Sequence, residues 1–392
     1  MRADAGTPAN SAPWWRNCSP RPPFPTPSTA PEEAEWYISL KKFVKTRRTA
    51  VSDRHAWIEP GVEQVGPGVH RIPLPLPNDG LRAVNVYAIE DSDGLVLIDS
   101  GWALEEARTQ LEKGLGEIGY DFADVQRFLV THVHRDHYTL AVQLRRTFGS
   151  KISLGAGEQP TMDAILRGGT ELAEMRRLQR WGAQELLGKL AEAYGGAPPE
   201  RKGENPYEQP DEWLHGKVEI PLGSRTLLAV PTPGHTRGHV VFLDADSSTL
   251  FSGDHILPHI TPSIGVESAR PELPLGDFLD SLRLMQTYPD LRLLPAHGPV
   301  GGSSHQRIDE LLRHHDERLQ QTAEVVRDGA GTAYEAALKL GWTRRDKDFA
   351  DLDLFNQVLA VGETSAHLDL LVTRGELTAT ANDDVVEYSG QQ

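Results

Sequence analysis

The chain has 392 residues, with 40 Lys and Arg against 56 Asp and Glu, which leaves a net charge of −16 at pH 7. That balance argues against a general nucleic-acid binder, and 39% hydrophobic residues are enough to bury a core in a chain of this length. No run of about 18 uncharged apolar residues occurs and the N-terminus lacks a basic-then-apolar leader pattern, so a soluble, cytoplasmic protein with no membrane partner is expected. The single cysteine, Cys18, excludes an intrachain disulfide and leaves any metal site to carboxylates and the 15 histidines.

Residues 1–50 hold eight of the 28 prolines, carry a net +4 and show almost no apolar periodicity. They read as a disordered tail. Strand-like runs begin at Val69 and continue through Val84–Ile89 and Gly94–Asp99, followed by a helix over about 103–118 and a buried strand Phe128-Leu129-Val130. A strand, a helix and a second strand ending in a polar cluster is a common place for a site in an α/β sheet. Residues 155–217 read as a helical insertion, because Leu172, Met175, Leu178, Trp181, Leu186, Leu187 and Leu190 recur at three- and four-residue steps. Such a stripe is ordinarily packing, with a lid over a neighbouring pocket as the second reading.

Strands resume over 225–230, 239–243 and 250–251, and a helix near 276–286 precedes a strand over 291–295. A long helix over 304–327 is followed by helices at 332–340 and 354–374 and by a hairpin turning at Asn382-Asp383. Helices followed by a hairpin suggest a small winged-helix-like domain. The expected division is a tail over 1–50, a main domain over 51–302 with its insertion, and the long helix with the winged-helix-like domain over 303–392.

The segment Thr131-His132-Val133-His134-Arg135-Asp136-His137 places four metal-ligating side chains in six positions directly after a buried strand. On an extended strand end His132 and His134 point the same way, while Asp136 and His137 enter the next turn and face a neighbouring point. That arrangement suits two metals about 3.5–4 Å apart, which need further donors from elsewhere. Three candidates follow strands in order: Pro233-Gly234-His235, Ser252-Gly253-Asp254 and Pro295-Ala296-His297.

Together with Leu97-Ile98-Asp99, these segments resemble the five ordered motifs of the metallo-β-lactamase-fold metallo-hydrolase superfamily, over about residues 65–300. The resemblance implies an α+β fold, an αββα sandwich of two mixed sheets flanked by helices. It implies that His132, His134 and His235 hold one metal, that Asp136, His137 and His297 hold the other, that Asp254 bridges them, and that Asp99 orients ligands by hydrogen bonding. The tail module is similar in pattern to the winged-helix appendage of the β-lactamase-like protein 2 subgroup.

What the resemblance implies for chemistry is a hydrolase with two zinc ions, or iron or manganese in their place, in which Asp136 and Asp254 serve a bridging hydroxide that attacks a carbonyl. The expected substrate is a small ester, thioester or lactone with an apolar part. His259, Tyr138 and Tyr194 are candidate substrate contacts, and His239 reads as a core or supporting histidine. A phosphodiesterase or ribonuclease of the same fold is disfavoured by the net −6 of residues 331–392. A non-haem iron dioxygenase and a metal-domain ligand sensor with a DNA-binding winged helix are the other readings. Apolar residues such as Leu354, Phe355, Val358 and Leu359 leave room for packing against the main domain or for a homodimer.

Overall fold

The computed structural model describes residues 56–77, 80–168, 170–193, 205–265, 267–343, 346–382 and 384–390. The proline-rich tail with Cys18, Tyr194 and Asp383 lie outside the described residues.

The layering follows from strands whose two faces are both apolar. Along β3 (Ala83–Asp91) and β4 (Gly94–Ile98), Tyr87, Ile89, Val96 and Ile98 point to one side, while Val84, Val86, Ala88, Leu95 and Leu97 point to the other. Successive strand side chains face opposite ways, so such strands need cover on both sides. One face meets Ala229, Val240, Phe242 and Phe251 of a second sheet. The other is covered by Leu111 and Leu115 of α1 (Glu105–Glu117) and Leu140 of α2 (Arg135–Phe148).

The first sheet has seven strands in chain order: β1 (Glu63–Gly66), β2 (Val69–Pro75), β3, β4, β5 (Val125–Leu129), β6 (Lys151–Gly155) and β7 (Glu212–Leu214). Its pairing is antiparallel from β1 to β4 and parallel from β4 to β7. The second sheet runs β12 (Arg292–Pro295), β11 (Thr249–Gly253), β10 (Val240–Asp244), β9 (Thr226–Pro231), β8 (Val218–Pro221), with only the β11–β12 pair parallel. Its outer face, with Val230, Val241, Leu243 and Leu293, packs on Phe278 and Leu282 of α6 (Pro274–Met285) and Ile308 of α7 (Ser304–Arg327). Two mixed sheets lie face to face with helices outside, as the motifs imply.

Between β6 and β7 the insertion forms α3 (Gln159–Arg167), α4 (Thr170–Arg180) and α5 (Gln184–Ala193). Leu178, Trp181 and Leu186 of its stripe are buried, whereas Met175 is 40% exposed. The buried part packs toward the C-terminal region: Trp181 accepts from the Tyr334 backbone at 3.0 Å, and the Tyr334 hydroxyl donates to Glu185 at 2.8 Å. Any Cβ on Gly182 would stand 2.8 Å from Thr332, which leaves that contact to glycine.

The C-terminal helices α7, α8 (Ala333–Lys339) and α9 (Leu354–Thr373) begin at Ser303, Thr332 and Asp353, whose side chains each cap a free backbone N–H. The hairpin β13 (Leu377–Asn382) and β14 (Val385–Gly390) follows. Helix α9 is apolar nearly all round and is correspondingly buried, with Val358, Val361, Leu368 and Leu371 in one core with Val230 and Phe278. Asp369 fastens the arrangement, accepting from Arg270 at 3.0 Å and from the Tyr388 hydroxyl at 2.9 Å.

Two histidines are sealed in this core. His367 Nδ1 donates to the Glu363 carbonyl (2.8 Å), so its Nε2 accepts from His315 Nδ1 at 3.3 Å, leaving His315 Nε2 without a partner. Burial, with Arg318 and His314 nearby, pushes His367 down to about 3 and His315 well below the usual imidazole range. The unfolded imidazoles bind protons near pH 6.5 and the folded ones do not, so this contribution to stability is complete above about pH 6.5 and is lost as pH falls toward 3. Thermal unfolding between pH 7 and pH 5 is expected to show a falling midpoint, with a shallower slope in His367→Gln.

Candidate metal centre

Each polar segment singled out in the sequence leaves the C-terminal end of a strand, and the sheet pairings bring those ends together. Pro231 at the end of β9 pairs with Val240 at the start of β10, and Gly253 at the end of β11 lies beside Pro295 at the end of β12. The Val240 backbone donates to the Thr131 carbonyl at 2.8 Å, which ties this edge to the end of β5. His134 is the residue preceding α2, with extended backbone, and Asp136 and His137 fall in that helix's first turn. An anionic Asp136 is favoured there by the helix dipole.

Seven side chains converge. The facing nitrogens of His132 and His134 are 3.0 Å apart, and those of His134 and His235 are 3.1 Å apart. Asp136 Oδ2 stands 3.5 Å from His137 Nε2 and 3.4 Å from His297 Nε2. The two oxygens of Asp254 divide between the groups: Oδ2 is 3.5 Å from His235 Nε2, while Oδ1 is 3.4 Å from His297 Nε2 and 3.7 Å from His137 Nε2. The sets His132–His134–His235, His132–His137–Asp254 and Asp136–His137–His297 each bring their ligand atoms within 4.8 Å of one another.

Hydrogen bonds on the far side of the rings fix which nitrogen faces inward. His235 Nδ1 donates to the Ser263 carbonyl and His297 Nδ1 to the Ala83 carbonyl, both at 2.7 Å. His137 Nδ1 lies 2.9 Å from Asp99 Oδ2. The Thr131 hydroxyl donates to Asp99, whose oxygens are both at 3.0 Å, and so accepts from His132 Nδ1 at 3.0 Å. Asp99 thus aims His137 directly and His132 through Thr131, and it also accepts the Thr131 backbone N–H at 2.8 Å. His239 accepts the Asp254 backbone N–H at Nε2 (3.2 Å) and donates to Thr232 from Nδ1 (2.9 Å), a supporting place outside the cluster.

This chemistry fits a metal ion better than a set of protons. His137 Nε2, His297 Nε2 and Asp254 Oδ1 are buried without a hydrogen-bond partner. Their separations of 3.4–3.7 Å are too long for hydrogen bonds. Donors about 2.0–2.2 Å from one tetrahedral ion stand about 3.3–3.6 Å apart, close to the 3.4–3.7 Å found in this half. Burial, reinforced by the neighbouring rings, holds His132 well below its usual range and His134 at about 3, so that half offers neutral imidazoles. In the other half burial opposes charge on His137, but Asp136, Asp99 and Asp254 outweigh it and push that ring up to about 10. A cation there takes the place of a proton.

Of the remaining predicted contacts, Tyr138 is turned away from the cluster. Tyr138 is fully buried, its hydroxyl donates to the Glu208 carbonyl at 2.7 Å, and its ring stacks on Tyr207, so it is closed to a substrate. His259 is exposed on the segment after β11, and Tyr194 lies outside the described residues. Arg135, within the motif, is exposed and places its guanidinium 4.0 Å from the Trp102 ring centre. Sequence reading missed Asn85, which donates to the Pro295 and Gly298 carbonyls (both 2.9 Å) and so pins the His297 loop. A lone polar residue in the apolar run Val84–Ile89 was the available signal. It also missed Glu158, a buried carboxyl beside the His235 loop that burial and Glu267 push up to about 8.

Residues 79–297 match the Metallo-beta-lactamase superfamily. A probable metallo-hydrolase, YqjP of Bacillus subtilis, is 23% identical over 326 residues, covering 81% of this chain and 96% of that protein. The lactamase-like protein nscB of Neosartorya fischeri is 27% identical over 246 residues, 63% of this chain, which spans 57% of the length of nscB. The crystal structure of a beta-lactamase domain protein from Burkholderia ambifaria superposes with a TM-score of 0.67 at 28% identity, covering 84% of this chain and 93% of that one. With the ordered motifs gathered at one edge of the sandwich, the chain belongs to the metallo-beta-lactamase superfamily and is a metal-dependent hydrolase.

Because Asp99 orients two of the rings, Asp99→Ala is expected to weaken metal binding by about 10–100-fold while the fold persists. Competition with a chromogenic chelator, alongside circular dichroism, checks this.

Proposed function

We propose that the protein is a dinuclear zinc hydrolase acting on an ester, thioester or lactone carbonyl of a small molecule. The observation that carries this reading is the division of Asp254, with one oxygen facing His235 and the other facing His137 and His297. A single carboxylate shared in that way supports two ions, one held by His132, His134 and His235 and the other by Asp136, His137 and His297. When bound, such a pair lowers the pKa of a coordinated water toward 7 and polarises a carbonyl oxygen.

The chain's own groups supply the rest. Burial alone would raise the pKa of Asp136, but His137 and His297 more than offset it and hold the carboxyl well below the ordinary range. It therefore remains an anion at neutral pH, able to hold an ion and to orient an attacking water by accepting its hydrogen bond. Asp254, likewise held low by His297 and His137 against its burial, fixes the spacing of the two halves. No nucleophilic serine or cysteine is needed.

A small acyl substrate is favoured over a nucleic acid by the acidic chain and by the net −6 of residues 331–392, in a region that shares its core with the catalytic sheets. The winged-helix-like module is then a packing element, and a cytoplasmic setting and a homodimer remain part of the proposal.

Elemental analysis paired with a hydrolysis panel tests the reading: a thioester, a lactone, an ester and a phosphodiester, for wild type and Asp136→Ala. About two zinc per chain is expected, with turnover of an acyl substrate that Asp136→Ala abolishes. Iron with no hydrolysis, or turnover of the phosphodiester alone, would overturn it.

A further inference from the structure

We propose that Glu158, which lies outside the ligand set, is a positioning residue for the three-histidine half of the centre, holding the loop of His235 in place. The inference rests on the reading that this half holds a metal.

Glu158 closes a short helical turn, Ala156–Glu158, that follows β6 at the root of the insertion. This turn meets the His235 loop backbone to backbone. A Cβ on Gly155 would stand 2.1 Å from the Gly238 carbonyl, one on Gly157 2.6 Å from the Arg237 carbonyl, and one on Gly238 2.0 Å from the Glu158 nitrogen. Three glycines at one contact bring the Glu158 side chain against the His235 loop.

There its Oε1 accepts from the hydroxyl of Thr236, the residue directly after His235. Glu158 is fully buried and its Oε2 has no hydrogen-bond partner among the described residues, so the carboxyl serves the His235 loop and nothing in solvent. The carboxyl is thus one step removed from His235.

The His235 loop is held again on its other side. Glu267 accepts the Arg237 backbone N–H at 3.0 Å and the Thr161 hydroxyl of α3 at 2.9 Å, while its carbonyl accepts from Arg177 of α4. Through these two glutamates the insertion fixes the position of His235. The histidine nitrogens face one another at 3.0 and 3.1 Å, a spacing that a small shift of either loop would spoil.

Stepwise cobalt(II) titration of the full chain, read by visible absorption and by chelator competition, separates the two ions, with His235→Ala marking the step that belongs to the three-histidine half. Glu158→Ala is expected to weaken that step by about 10–100-fold and leave the other step in place. Glu158→Gln keeps an acceptor for the Thr236 hydroxyl and should restore most of the lost affinity. Unchanged binding in Glu158→Ala, equal loss at both steps, or a Gln variant as weak as Ala would overturn the assignment. If Glu158→Ala fails to fold, Thr236→Val removes only the hydroxyl and must weaken the same step, or the proposal falls. A wild-type chain that lacks the three-histidine step would instead take down the two-metal reading along with this one, whereas the other failures leave that reading standing.

Discussion

The carboxylate of Asp99 organises the centre from behind. It sits in the left-handed region at φ 60°, directly after β4, and reaches across to Thr131 after β5 and to His137 in the first turn of α2. A left-handed conformation is costly for a residue other than glycine and persists where the surroundings over-determine it. Here four donor–acceptor contacts within 3.0 Å do so. A strand end, a loop and a helix start are thereby locked into one rigid piece. The ring orientations of His132 and His137 follow from it, and so does the direction in which the lone pairs of the cluster face.

The same economy governs the second sheet. His235 and His297 donate their outward hydrogen bonds to backbone carbonyls, those of Ser263 and Ala83, so their ring orientation is set by chain path alone. The Ala83 carbonyl belongs to β3, whose Asn85 and Tyr87 also donate to the Pro295 carbonyl. A strand of the first sheet therefore shapes a ligand loop of the second. Asn85 and Tyr87 thereby find partners in the interior between the sheets, as burial requires.

The ligand set was legible because it is written in short segments at strand ends, where spacing in sequence and spacing in space nearly coincide. The sandwich was legible from the two-faced strands. Tyr138 shows where that logic stops. It adjoins His137 in sequence, but the chain has already entered a helix at Arg135, where each residue turns about 100° from the last, so Tyr138 swings away from the cluster into the packing around Tyr207. Glu158 and Glu267 lie in no periodic pattern, and the partners that give them meaning, Thr236, Arg237 and Thr161, are brought to them only by the fold. The acidic C-terminal region gave its helices and hairpin from pattern, while its burial against Val230 and Phe278 depended on faces that the sequence does not pair.

The seven converging side chains come from two different sheets. His132, His134, Asp136 and His137 follow β5 of the first, and His235, Asp254 and His297 follow β9, β11 and β12 of the second. A cation held by Asp254 together with His132 and His137 of the first sheet would therefore be a cross-link between the two halves of the sandwich, closed by coordination rather than by covalent bonds. By linkage, the free concentration of that cation enters the folding equilibrium itself, so the sandwich's resistance to opening becomes a property of the surrounding medium as much as of the chain.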